Sequence, residues 1–206
     1  MIVVAVDSDD DDVLAACLAY RRAKVLPAFE GRGFTVKVFS AAGATRPDVQ
    51  AALNDPEVVL LSGSGHGLPD RFTGRGREPL LEVGAYEPAE CAGRVIHLLS
   101  CHTGQALGPD LVAHGCAAFF GYDTQFVIPL GSPALFLECD AVIDREIGLG
   151  QTAREVYERA HRAFNRRMEQ LLSIKQPYLA GILEYNRDHL CAPSTDLRWG
   201  DPDATI

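Results

Sequence analysis

Five short, mostly apolar stretches, residues 2–6, 33–39, 57–61, 94–99 and 116–120, recur along the chain, each bounded by polar or turn-forming residues. Runs of this length predict buried strands, and the second, Gly33-Phe34-Thr35-Val36-Lys37-Val38-Phe39, alternates sides. Between them the pattern turns helical. The acidic tract Ser8-Asp9-Asp10-Asp11-Asp12 favours a helix start electrostatically and leads into residues 13–20. Thr45-Arg46-Pro47-Asp48 opens a second helix that runs to Leu53, with proline where a first turn tolerates it. Residues 106–114 read as a third helix and 133–173 as a long helical stretch. In its second half Ala153, Val156, Ala160, Phe164, Met168 and Leu171 recur at three- and four-residue spacing. This leaves five arginines between Arg154 and Arg167 outside, as a solvated face or a surface for a regulatory protein partner. The tail, residues 192–206, is expected to be irregular.

Strands separated by helices pair in parallel through right-handed crossovers. The expectation is therefore an α/β fold, a three-layer sandwich around a mainly parallel, doubly wound sheet. Ligands in such sheets bind outside the carboxyl ends of the strands. Two strands end there at reactive side chains. Val58-Val59-Leu60-Leu61 leads through Ser62-Gly63-Ser64-Gly65 to His66-Gly67, and Val95-Ile96-His97-Leu98-Leu99 leads through Ser100 to Cys101. A thiol beside an imidazole can be deprotonated to attack a carbonyl, and the imidazole can then protonate the leaving group. The intervening residues 68–90, rich in Gly, Pro and Arg, form a loop or small hairpin flanking the site, with residues 79–83 able to pair.

Composition narrows the class. A chain of 206 residues, 47% hydrophobic and 23% charged, suits one domain spanning 1–206. The net charge of -9 disfavours nucleic acid and anionic membrane as partners. No apolar run approaches the ~18 residues of a membrane span, and the start Met1-Ile2-Val3-Val4-Ala5-Val6 reads as a strand and not as a signal peptide. Six cysteines without a C-x-x-C pair suit a reduced, cytoplasmic setting.

The two strand ends together resemble the caspase-like cysteine peptidases, the group of caspases, metacaspases, gingipain, separase and the CHAT domains. In that group one apolar strand ends in His-Gly and a later one in the nucleophilic Cys. Ile96-His97-Leu98-Leu99-Ser100-Cys101-His102-Thr103-Gly104 is similar to the CHAT and separase version, with a small residue before the Cys and Thr-Gly soon after. The resemblance covers roughly residues 1–130. It implies a caspase-like fold and an endopeptidase that needs no cofactor or metal and takes a protein or peptide substrate. Cys101 would be the nucleophile, His66 the general acid/base, and the backbone N–H groups of Gly67 and Cys101 the oxyanion hole. Asp123, in a short motif after the fifth strand, would bind a basic substrate side chain. Departures matter as well. Metacaspases and clostripain carry an acidic residue two positions before the Cys, where this chain has Leu99, and the animal-caspase signature is absent. No residue is marked for orienting His66, although Asp70 is near it in sequence.

The same fold with a crippled site would instead serve as an interaction or regulatory module. Other constellations carry less. A receiver domain needs an aspartate where Ser62 and Gly63 stand, neither Ser62 nor Ser64 lies in G-x-S-x-G, and the histidines fit no zinc spacing. His97 reads as a satisfied core residue. Calcium at the acidic tract, as in metacaspases, is a minor alternative. An enzyme specific for basic residues would be able to nick itself among Arg71, Arg75 and Arg77.

Overall fold

The computed structural model describes all 206 residues. In chain order the elements are β1 (Ile2–Asp7), α1 (Asp12–Lys24), α2 (Leu26–Glu30), β2 (Thr35–Ser40), α3 (Arg46–Leu53) and β3 (Val58–Ser64). A small three-stranded unit follows, β4 (Gly67–Leu68), β5 (Arg71–Thr73) and β6 (Pro79–Glu82), and then β7 (Val95–Leu99), α4 (Leu107–Ala113) and β8 (Ala118–Tyr122). The chain closes with α5 (Pro133–Ile147), α6 (Ala153–Ser173), α7 (Pro177–Asp188) and β9 (Leu190–Cys191). The central sheet has the order β2-β1-β3-β7-β8-β9, parallel except for β9. The protein is thus α/β, with a mainly parallel six-stranded sheet flanked by helices.

Alternation along the strands sends successive side chains to opposite faces. Val3, Leu60, Val95 and Phe120 join Cys17, Phe29, Phe136 and Phe164 in one apolar cluster under α1, α2, α5 and α6. Val4, Leu61, Ile96 and Phe119 join Val49, Leu53, Phe72 and Leu111 in the other, under α3, α4 and the β4–β6 unit. Both faces are therefore covered, which is why these strands read as continuous apolar runs.

Several expectations are corrected. The stretch 133–173 is two helices, because the chain turns at Gly148 and again at Gly150, whose φ of 71° suits glycine. The fifth strand lies two residues later than expected, and the third continues through Ser62-Gly63-Ser64. Helices α2 and α7 and the closing strand β9 add elements the pattern did not announce. The tail is irregular in outline yet fastened. Trp199 Nε1 donates to the Gly104 carbonyl at 2.9 Å, and the carbonyls of Pro202 and Ala204 accept from the first turn of α6. No helix is long and apolar enough to cross a membrane.

Candidate active site

From β1 the chain crosses first to β2 on one side and then to β3 on the other. The carboxyl ends of β1 and β3 therefore flank the point where the winding reverses, the place where such sheets form a crevice. Asp11 follows β1, His66 follows β3 and Cys101 follows the adjacent β7. All three line one pocket of about 250 Å³.

Backbone contacts hold the His66 and Cys101 loops together. Gly65 N–H points at the Leu99 carbonyl at 3.4 Å, linking the end of β3 to the end of β7. Gly67 lies against the Cys101 loop, and a methyl group there would collide with Ser100 Oγ and the Cys101 carbonyl. Glycine is what allows this approach. The Cys101 loop is fixed from its far side as well. His102 N–H donates to the Thr124 carbonyl at 2.9 Å, Gly104 N–H to the Tyr122 carbonyl at 2.9 Å, and Gln105 Nε2 to the Asp123 carbonyl at 2.6 Å. His102, directly after the thiol, sits at φ 63°, a left-handed conformation uncommon for a side-chain-bearing residue.

Hydrogen-bond alternation frees one of the two expected oxyanion donors. Thr73 N–H donates to the His66 carbonyl, so His66 and Thr73 are a bonded pair and the next pair, Gly67 and Phe72, is the non-bonded one. Gly67 N–H accordingly points away from β5. Cys101 N–H has no backbone acceptor.

The imidazole is 32% exposed, yet Nε2 is sealed from solvent. It lies 3.0 Å from Asp11 Oδ2, close enough for charge attraction but outside hydrogen-bond alignment. The other oxygen of Asp11 accepts from Leu14 N–H at 2.9 Å and caps α1. One carboxylate thus fixes the helix start and faces the imidazole. Its neighbour Asp10 accepts from the N–H groups of Gly76 and Arg77, tying the arginine loop to the acidic tract. Burial pushes the Cys101 thiol above its ordinary value; the N–H groups of Phe126 and Cys101 itself oppose this and the charge on Asp11 adds to it. Burial thus favours the neutral thiol over the thiolate. This sulfur belongs to the one cysteine of the six that is not buried. Neither a family model nor a curated protein matches this sequence.

Asp123 stands apart from this pocket. Its Oδ1 lies 2.8 Å from Nδ1 of His189 at the end of α7, and its backbone N–H points at the His189 carbonyl. Asp70 pairs with Arg71 and not with His66. Asp11 was hidden in the sequence because an acidic tract ahead of a helix has a sufficient local explanation. Only the order of β1 and β3 across the sheet brings it to His66.

Four residues before Cys101, within β7, His97 is fully buried on the face toward α1 and α5. Its Nδ1 lies 3.0 Å from Asp144 Oδ1 and its Nε2 3.3 Å from Asp140 Oδ1. Arg21 joins Asp144 at 2.8 Å, Asp7 at 2.6 Å and Ser62 Oγ at 2.7 Å, and the Tyr122 hydroxyl donates to Asp140 at 2.8 Å. Burial opposes charge on His97, but Asp144 and Asp140 outweigh it and raise its pKa to about 9. For Asp144 burial disfavours the carboxylate, while His97 and Arg21 overcome that and hold it well below the usual range. This is the satisfied core histidine expected from the sequence, within a larger ionic network.

Proposed function

We propose that the chain is a cysteine endopeptidase of caspase-like fold that works through Cys101 and His66. The observation that carries the reading is their presence in one half-open pocket, delivered by adjacent parallel strands and joined through Gly67. In this reading His66 takes the thiol proton as the sulfur attacks the peptide carbonyl. The tetrahedral oxygen then lies against the N–H groups of Gly67 and Cys101, each donor worth about 3 to 4 kcal/mol of barrier. As the C–N bond breaks, the imidazolium gives its proton to the departing amine, leaving a thioester on Cys101. Water cleaves that C–S bond with His66 as the base and restores the thiol. Asp11 beside Nε2 stabilises the imidazolium and leaves Nδ1 to exchange the proton. A resting thiol suits this order of events, because the proton leaves only as the carbonyl arrives.

A competing reading, an inactive interaction module, draws on the raised pKa of Cys101 and the absence of an aligned hydrogen bond to His66. Incubation with a peptide library separates the two. The peptidase reading expects new amino termini and an acyl-enzyme mass captured on Cys101 at short times, both lost in Cys101→Ala. Intact peptides with the wild-type chain would support the module.

A further inference from the structure

We infer that the pocket beside His66 and Cys101 receives one uncharged, apolar substrate side chain, of the class of leucine, methionine or phenylalanine, from the residue whose carbonyl is attacked. This rests on the peptidase reading. The carbonyl carbon that meets the sulfur is one bond from the α-carbon of that residue, so its side chain must enter the space the sulfur faces. That space has a buried floor of Leu14, Cys17, Leu99 and Phe126, with Val13 and Ile128 partly buried around it. These residues come from α1, from the end of β7 and from the segment after β8, so three separate parts of the chain converge on an apolar lining. The volume of about 250 Å³ falls below the roughly 300 to 1,000 Å³ of pockets that hold whole small molecules, and suits a single side chain.

Charge argues the same way. A cationic side chain here would lie among aliphatic and aromatic carbons, and an unpaired buried charge is strongly disfavoured. The one carboxylate on the pocket, Asp11, is already engaged by Leu14 N–H and by the neighbouring imidazole. Asp123 is turned to His189, outside the lining. Leu99 occupies the position two before the nucleophile and belongs to the pocket wall, so its lack of charge bears directly on what the pocket accepts. Ser100 Oγ, buried and without a partner, supplies a polar point but no charge.

The test is a set of peptidyl acyloxymethyl ketones with one common backbone and Leu, Phe, Arg, Asp or Gly next to the ketone. Second-order rates of Cys101 labelling are read by intact mass on the full chain. The expected result is that the Leu and Phe probes label at least about 10-fold faster than the Arg and Asp probes. The variant Val13→Trp, at a partly buried position of the lining, should slow the Leu and Phe probes by a larger factor than the Gly probe. An Arg probe that reacts fastest would overturn the inference while leaving the peptidase reading intact. Equal rates for all five, Gly included, would overturn it likewise. Failure of every probe to label Cys101 would sink the peptidase reading together with the inference.

Discussion

His66 and His97 end up in opposite circumstances although the two strands that deliver them are neighbours in the sheet. His97 lies inside β7, fully buried, with a carboxylate at each ring nitrogen and an arginine beyond. His66 lies just past β3, one-third exposed, with Nε2 near a carboxylate but making no hydrogen bond and with the thiol of Cys101 in the same pocket. The first arrangement leaves no nitrogen available and stabilises one charged state. The second leaves Nε2 without a hydrogen bond on the wall of a pocket. Burial with full pairing suits a structural group, and partial exposure with incomplete pairing is what the proposed acid/base role of His66 requires.

The largest expected effect falls on the reactive side. Cys101→Ala should lower peptide hydrolysis by about 10⁴-fold or more, and His66→Ala should lose nearly as much, because residues acting as one unit are not additive. Thermal melting of both variants should stay close to that of the parent. On the structural side the outcome reverses. Asp144→Ala strips Arg21 and His97 of a shared partner and should destabilise the fold by about 3 to 5 kcal/mol, read from the denaturant midpoint at unchanged m-value.

Smaller than that is the pH dependence of the same network. His97 binds its proton more tightly folded than unfolded, so its contribution is complete below pH 6.5 and fades as pH rises through about 9. Asp144 acts in the other direction: its contribution is present above pH 3.8 and is lost as the solution is acidified below that. Denaturant midpoints should form a plateau between those limits and decline toward pH 9 by the equivalent of roughly 3 kcal/mol. His97→Gln should remove the alkaline decline. The smallest effect distinguishes the two duties of Asp11. Asp11→Ala loses the cap of α1 and should cost about 1 kcal/mol, whereas Asp11→Asn keeps the cap and should change stability by less than about 0.5 kcal/mol. Both should slow hydrolysis by about 10-fold if the carboxylate assists the imidazolium.

Much of the scaffold can be read from the residues because a doubly covered parallel sheet demands continuous apolar runs. Val58 to Leu61 and Val95 to Leu99 leave little alternative, and their endpoints bring His66 and Cys101 forward together. The pairing expected of 79–83 appears as β6 (Pro79–Glu82), in the small antiparallel sheet beside the site. Where the reading failed, a local pattern competed with a distant contact. The apolar pattern predicts a fifth strand ending at Phe120, yet Gly121 and Tyr122 belong to β8, with the Phe119 ring packed where a side chain on Gly121 would stand. The five residues of α2 carry a proline in the first turn and too little length for periodicity. Asp123 has its carboxylate beside His189, 66 residues away, a pairing that no local pattern announces. Asp11 is the converse case, since its part in the site depends on which strands are neighbours.

The shared identity of His66 and Cys101 as one reactive unit is tested most directly by the rate at which a leucine-bearing peptidyl ketone labels Cys101 at neutral pH, in the parent chain and in His66→Ala. The account predicts selective labelling of Cys101 over the five buried cysteines and a drop of at least about 10-fold in the variant, at unchanged melting temperature. Equal rates in the two proteins would mean that exposure alone makes Cys101 reactive, and would contradict the account.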